Sequence, residues 1–125
     1  MCSDSRRVSK SQQLKDRTEA FAVNIVKLCR RLPASLESRR IGPQLIDAAT
    51  SVAANYRAAC RARTRAEFIA KIGIVVEEVD ETAFWLGLLV KTGQASESAT
   101  EHVRDEANEL TAIFVASLRT ARSRR

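Results

Sequence analysis

The stretch from Thr64 to Gly93, TRAEFIAKIGIVVEEVDETAFWLGLLVKTG, constrains this chain most, because it holds more apolar residues than one helix face can carry. At about 100° per residue, Phe68, Ile69, Val75, Val76, Val79, Ala83, Leu86 and Val90 fall within about 60° of Ile72. That arc reads as a core-facing stripe. On the far side Ile74, Glu78, Glu81, Trp85 and Leu88 alternate at spacings of four and three, giving a narrower apolar seam interrupted by carboxylates. The first face suits a helix bundle and the second suits another subunit. Thr64 with Glu67 makes a capping box, while Lys91 and Gly93 suit a helix end, so the spacing predicts a helix over 65–91. At about 1.5 Å per residue it is roughly 40 Å long, a length usual in bundles.

A chain of 125 residues is read as one domain with a single core. Its 5% aromatic content, 4 Gly and 2 Pro favour helices over strands, which want more aromatic, β-branched and turn-forming residues. No run reaches the length of a membrane span, and MCSDSRRVSKSQQ at the N-terminus has no hydrophobic segment to act as a signal. A cytoplasmic protein is expected. Cys2, Cys29 and Cys60 are odd in number and widely spaced, so they read as free thiols in a reducing compartment rather than a disulfide framework or zinc site.

The net charge of +6 is not spread evenly. Arg6, Arg7 and Lys10 against Asp4 leave +2 in residues 1–10, and Arg119, Arg122, Arg124 and Arg125 give +4, so the remainder is neutral. A flexible basic N-terminus over 1–10, a bundle over 11–121 and a basic tail over 122–125 follow. Arg outnumbers Lys by 16 to 5, which suits bidentate binding of phosphate and equally suits a GC-rich genome.

Three further helices are expected, over 11–31, 43–62 and 97–121. In the first, Leu14, Thr18, Phe21, Ile25, Leu28 and Leu32 form a bundle seam that ends at Pro33. PASLESRRIG, residues 33–42, reads as the longest connection, with Leu36 and Ile41 tucked under the bundle and Arg39 and Arg40 near Arg30 and Arg31. Pro43 then opens the second helix, whose inner face is Leu45, Ala49, Val52, Tyr56 and Ala59. Its many alanines either admit close neighbours on several sides or merely favour helix. Arg57, Arg61, Arg63 and Arg65 cluster around the next turn, opposite in sign to Glu77, Glu78, Asp80 and Glu81. The two blocks are out of register for pairing along one hairpin, so pairing between subunits is equally open. The last helix starts near Ser96 or Ser98, the latter offering a capping box with Glu101, and buries Ala99, Val103, Ala107, Leu110, Phe114, Leu118 and Ala121. Four amphipathic helices make an all-α fold, an antiparallel up-down-up-down left-handed four-helix bundle.

Phosphate-loop, dinucleotide, zinc-protease, nucleophile-elbow and EF-hand signatures are absent. Di-iron bundles need repeated Glu-x-x-His, whereas this chain has only His102, which lies off the inner seam. No catalytic residue, metal ligand or cofactor site is assigned, and the expected protein is not an enzyme.

SVAANYRAA (residues 51–59), the block from Thr64 to Thr82 and FWLGLL (residues 84–89) resemble the bacterial four-helix-bundle family of the 23S rRNA intervening-sequence protein. The matching positions are Ser51, Asn55, Arg57, Thr64, Glu67, Phe68, Glu78, Glu81, Trp85 and Leu86. The chain departs from the family pattern at Arg57 and Ala58, where many relatives carry an acidic residue and glycine. The resemblance implies a ring-like homo-oligomer, a pentamer, with nucleic-acid binding proposed for some members. It is also similar to the accessory protein of diversity-generating retroelements, which implies a reverse transcriptase as a possible protein partner. Together these point to a bundle that binds RNA or DNA through Arg57, Arg61, Arg63, Arg65, Arg119 and Arg122, with Ile74, Glu78, Glu81, Trp85 and Leu88 at the oligomer interface. The alternative is a protein-interaction adaptor or accessory subunit without direct nucleic-acid binding.

Overall fold

The computed structural model describes residues 9–124, all of whose regular structure is α-helix: α1 (Lys10–Arg30), α2 (Leu36–Cys60), α3 (Arg65–Lys91) and α4 (Glu97–Ser123). Cys2, Arg6, Arg7 and Arg125, and with them most of the basic N-terminus, lie outside the described residues. Each helix contacts its neighbours in chain order and α4 returns to α1; α2 and α3 are the most closely apposed pair, α1 and α4 the least. The alanines of α2 account for that approach, since Ala48, Ala49 and Ala59 are buried and add little width.

Every helix begins on a hydroxyl. Ser9, Ser35, Thr64 and Ser96 each accept a hydrogen bond from the backbone N–H three residues on, satisfying a donor that the helix itself cannot. At α3 the Glu67 carboxylate also accepts from the Arg63 N–H at 2.8 Å, one residue before the cap. Ser96, not Ser98, caps α4, so the capping box with Glu101 does not form. Gly93 closes α3 at φ 76, a conformation costly for a residue with a Cβ.

The largest departure from expectation is the start of α2. The helix begins at Leu36, so most of the supposed connection is helical and Pro43 stands inside it. Interior proline removes one hydrogen bond and crowds the preceding turn. Here the carbonyl it orphans belongs to exposed Arg39, where water can serve it, while the first turn is anchored by Ser35 and Ser38, whose hydroxyls donate to Gln94 Oε1 at 2.5 and 3.0 Å. Ile41 is buried on α2 instead of tucking in from a loop, and Leu36 is 66% exposed.

Phe21 and Ile25 of α1, Leu45, Val52 and Tyr56 of α2, Ile72, Val75 and Leu86 of α3, and Leu110 and Phe114 of α4 make one continuous core. Tyr56 and Phe114 pack as tilted rings 5.2 Å apart. On α3 the buried arc is rotated from the expected one: Thr82 and Leu89 are buried, whereas Ile69, Val76, Ala83 and Val90 are half-buried. Thr82 can enter because its hydroxyl donates to the Glu78 carbonyl at 2.7 Å. Thr18 and Thr100 return their hydroxyls to their own helices in the same way, and Thr100 takes the buried place expected of exposed Ala99.

Candidate functional site

The arginines gather where α2 passes into α3 and α4 ends. Arg57 lies in the last turn of α2, Arg61 is its C-cap, Arg63 stands in the connection and Arg65 is the first residue of α3. Arg65 donates to the backbone carbonyl of Arg124, which brings the end of α4, with Arg119 and Arg122, against the start of α3. All six predicted nucleic-acid-binding arginines are exposed. Among the described residues the ion pairs belong to Arg17, which bridges α1 to Glu106 and Glu109 of α4 at 2.7 and 2.9 Å. Among the described residues no carboxylate pairs with any of the six.

A groove of about 660 Å³ opens in this basic end. Leu14 of α1, Phe68 of α3 and Ile113 of α4 give it an apolar lining, and Lys10, Arg65 and Arg124 bring three cations to it. It lies along the loosely packed α1–α4 seam, where side chains do not fill the space as they do between α2 and α3. Arg30, Arg31, Arg39 and Arg40 share the end where α1 passes into α2, all exposed.

The outer face of α3 is the second site. Ile74, Glu78, Trp85 and Leu88 are half-buried and Glu81 is exposed. Trp85 and Leu88 rest partly against the core, so the seam is not wholly external. The Trp85 indole N–H donates to Glu81 Oε2 at 3.2 Å, giving its polar edge a partner and fixing the ring. Phe84, absent from the expected interface, is 59% exposed and meets Trp85 edge to face at 4.9 Å. Its helical position flanks the seam on the polar side, which is why periodicity alone passes over it. Desolvation, then the like charges of Glu81 and Glu77, raise the Glu78 carboxyl above the ordinary carboxylate range. Among the described residues no cation forms an ion pair with Glu78.

Elsewhere the chemistry is quiet. Cys29 and Cys60 are free and half-buried, and burial pushes the Cys29 thiol up to about 11, which keeps it protonated and a poor nucleophile. His102 is exposed on α4. Among the described residues no group of three or more His, Cys, Asp or Glu is placed to hold a metal ion, and no helix is long and apolar enough to cross a membrane.

Residues 10–116 match the family model of the 23S rRNA-intervening sequence protein. Among solved structures, the chain is similar to a protein of unknown function from the S23 ribosomal protein family of Bacteroides thetaiotaomicron VPI-5482. The two share 30% identity over 84% of this chain and 97% of that one, with a TM-score of 0.75. No curated protein matches the chain.

Proposed function

The chain belongs to the 23S rRNA-intervening sequence protein family, and from that premise we propose a non-enzymatic bundle that assembles with copies of itself, a pentamer, and binds RNA through its basic end. The bundle is taken as antiparallel, up-down-up-down and left-handed, in keeping with the way the starts of α1 and α3 border the same groove as the end of α4. What carries the assembly is the outer face of α3, where Phe84, Trp85, Ile74 and Leu88 leave an apolar strip that a second copy would cover. The carboxylates within the strip favour a partner surface that brings cations.

For the ligand, the support is a set of exposed arginines that no carboxylate of the described residues pairs with, in a family described by an RNA segment. Repetition of one basic end in every subunit strengthens weak phosphate contacts through multivalency. Anisotropy with labelled RNA tests the reading: binding that weakens steeply with salt supports it, and absent or salt-independent binding refutes it. A second reading is a protein adaptor, favoured by exposed Phe84 beside Glu77, Asp80 and Glu81, which together suit a basic protein segment such as one on a reverse transcriptase. Capture of one protein that survives nuclease treatment, with no RNA binding, would favour it.

A further inference from the structure

We propose that the groove between the starts of α1 and α3 and the end of α4 holds one unpaired base of a single-stranded RNA, stacked on Phe68, with the neighbouring phosphates on Lys10, Arg65 and Arg124. The inference rests on the reading of the basic end as an RNA site and adds to it the form of RNA that is taken.

The size is right, since about 660 Å³ lies within the range of pockets that enclose small molecules and is ample for a planar base. Phe68, Leu14 and Ile113 are half-buried, so each rests on the core with one side and offers apolar surface with the other. An aromatic ring set among cations is the combination that single strands meet, because they present π faces and phosphates together. A duplex keeps its bases stacked inside and offers such a groove only backbone.

Charge selects the same occupant. No carboxylate of the described residues pairs with Lys10, Arg65 or Arg124. Arg65 is held in place by its hydrogen bond to the Arg124 carbonyl, an acceptor that positions the guanidinium without cancelling its charge. The partial positive charge at the starts of α1 and α3 is opposed by the partial negative charge at the end of α4, so the attraction for phosphate rests on the three cations.

The experiment compares the affinity of the full chain for a labelled single-stranded RNA of about 12 nucleotides with that for a blunt duplex of the same length. Wild type should prefer the single strand. Phe68→Ala should weaken single-strand binding by roughly tenfold or more and leave duplex binding unchanged, while Phe68→Tyr retains it. Because Phe68 also touches the core, Ala116→Leu serves as an independent variant: Ala116 is an exposed wall of the groove, and the larger side chain should fill the space and reproduce the loss. Equal affinity of wild type for both RNAs overturns the proposal. So does binding that responds to Arg57 and Arg61 but to neither groove variant, an outcome that leaves the wider RNA reading standing. If both groove variants lower the mass of the assembly and leave RNA affinity intact, the groove is a subunit contact and the proposal is again overturned. Absence of RNA binding by wild type removes this inference together with the reading beneath it.

Discussion

Replacing Arg57, Arg61, Arg63 and Arg65 together with Gln isolates the electrostatic part of the proposed RNA binding. All four side chains are exposed and none makes an ion pair among the described residues, where the side-chain hydrogen bond lost is that from Arg65 to the Arg124 carbonyl. Stability should therefore change little, by about 0.5 kcal/mol or less for each surface position. Each phosphate contact on a single strand contributes about 0.7 to the slope of log affinity against log salt, so losing four flattens the slope by about 3. Between about 50 and 200 mM salt, that removes a roughly 50-fold part of the weakening expected of wild type. Anisotropy titrations of one labelled strand at several salt concentrations, with thermal melts to verify folding, measure both quantities. An unchanged slope in a folded variant would mean that these arginines do not displace counterions from the nucleic acid.

Three other outcomes follow from the structure. Phe114 is fully buried against Tyr56, so Phe114→Ala should cost about 3–5 kcal/mol and lower Tm by about 10–20 °C; a shift of a few degrees would contradict its central place in the core. Arg17→Gln should cost only about 1 kcal/mol, since its pairs with Glu106 and Glu109 are partly solvated, and a much larger loss in urea unfolding would show that packing of α1 on α4 depends on them. Glu78 is raised in the folded state, so the fold binds its proton more tightly than the unfolded chain does. Stability should then fall as pH rises from the ordinary carboxylate range through the raised value, and Glu78→Gln should flatten that dependence; parallel pH profiles for variant and wild type would exclude the effect.

What the sequence makes legible is what local rules decide. Thr64 and Gly93 mark the ends of α3 because capping hydroxyls and left-handed glycines act within a turn or two of themselves. The inner face of α2 is readable from Leu45 to Ala59 because all five expected residues point one way on a regular helix. Long-range partners decide the rest. Pro43 normally marks a helix start, yet α2 begins a full two turns earlier, where Ser35 and Ser38 find Gln94, a residue far along the chain. The core direction of α3 shifts because Thr82 hides its hydroxyl in its own backbone, which hydropathy does not register. The six arginines are visible as charge, but the apolar groove beside them requires Leu14, Phe68 and Ile113 from three helices. Exposed Phe84 escapes a seam defined by strict four-three spacing.

In the proposed assembly the outer face of α3 is covered by another copy of the chain. Light scattering of wild type and of Trp85→Arg, each at micromolar concentration after nuclease treatment, tests it most directly, because the substitution puts a charge into the strip formed by Phe84, Trp85 and Leu88. Such an assembly gives a wild-type mass several times the 13.8 kDa of one chain, and a folded Trp85→Arg variant of much lower mass. A wild type that runs at 13.8 kDa, or a variant that keeps the full assembly, would contradict it.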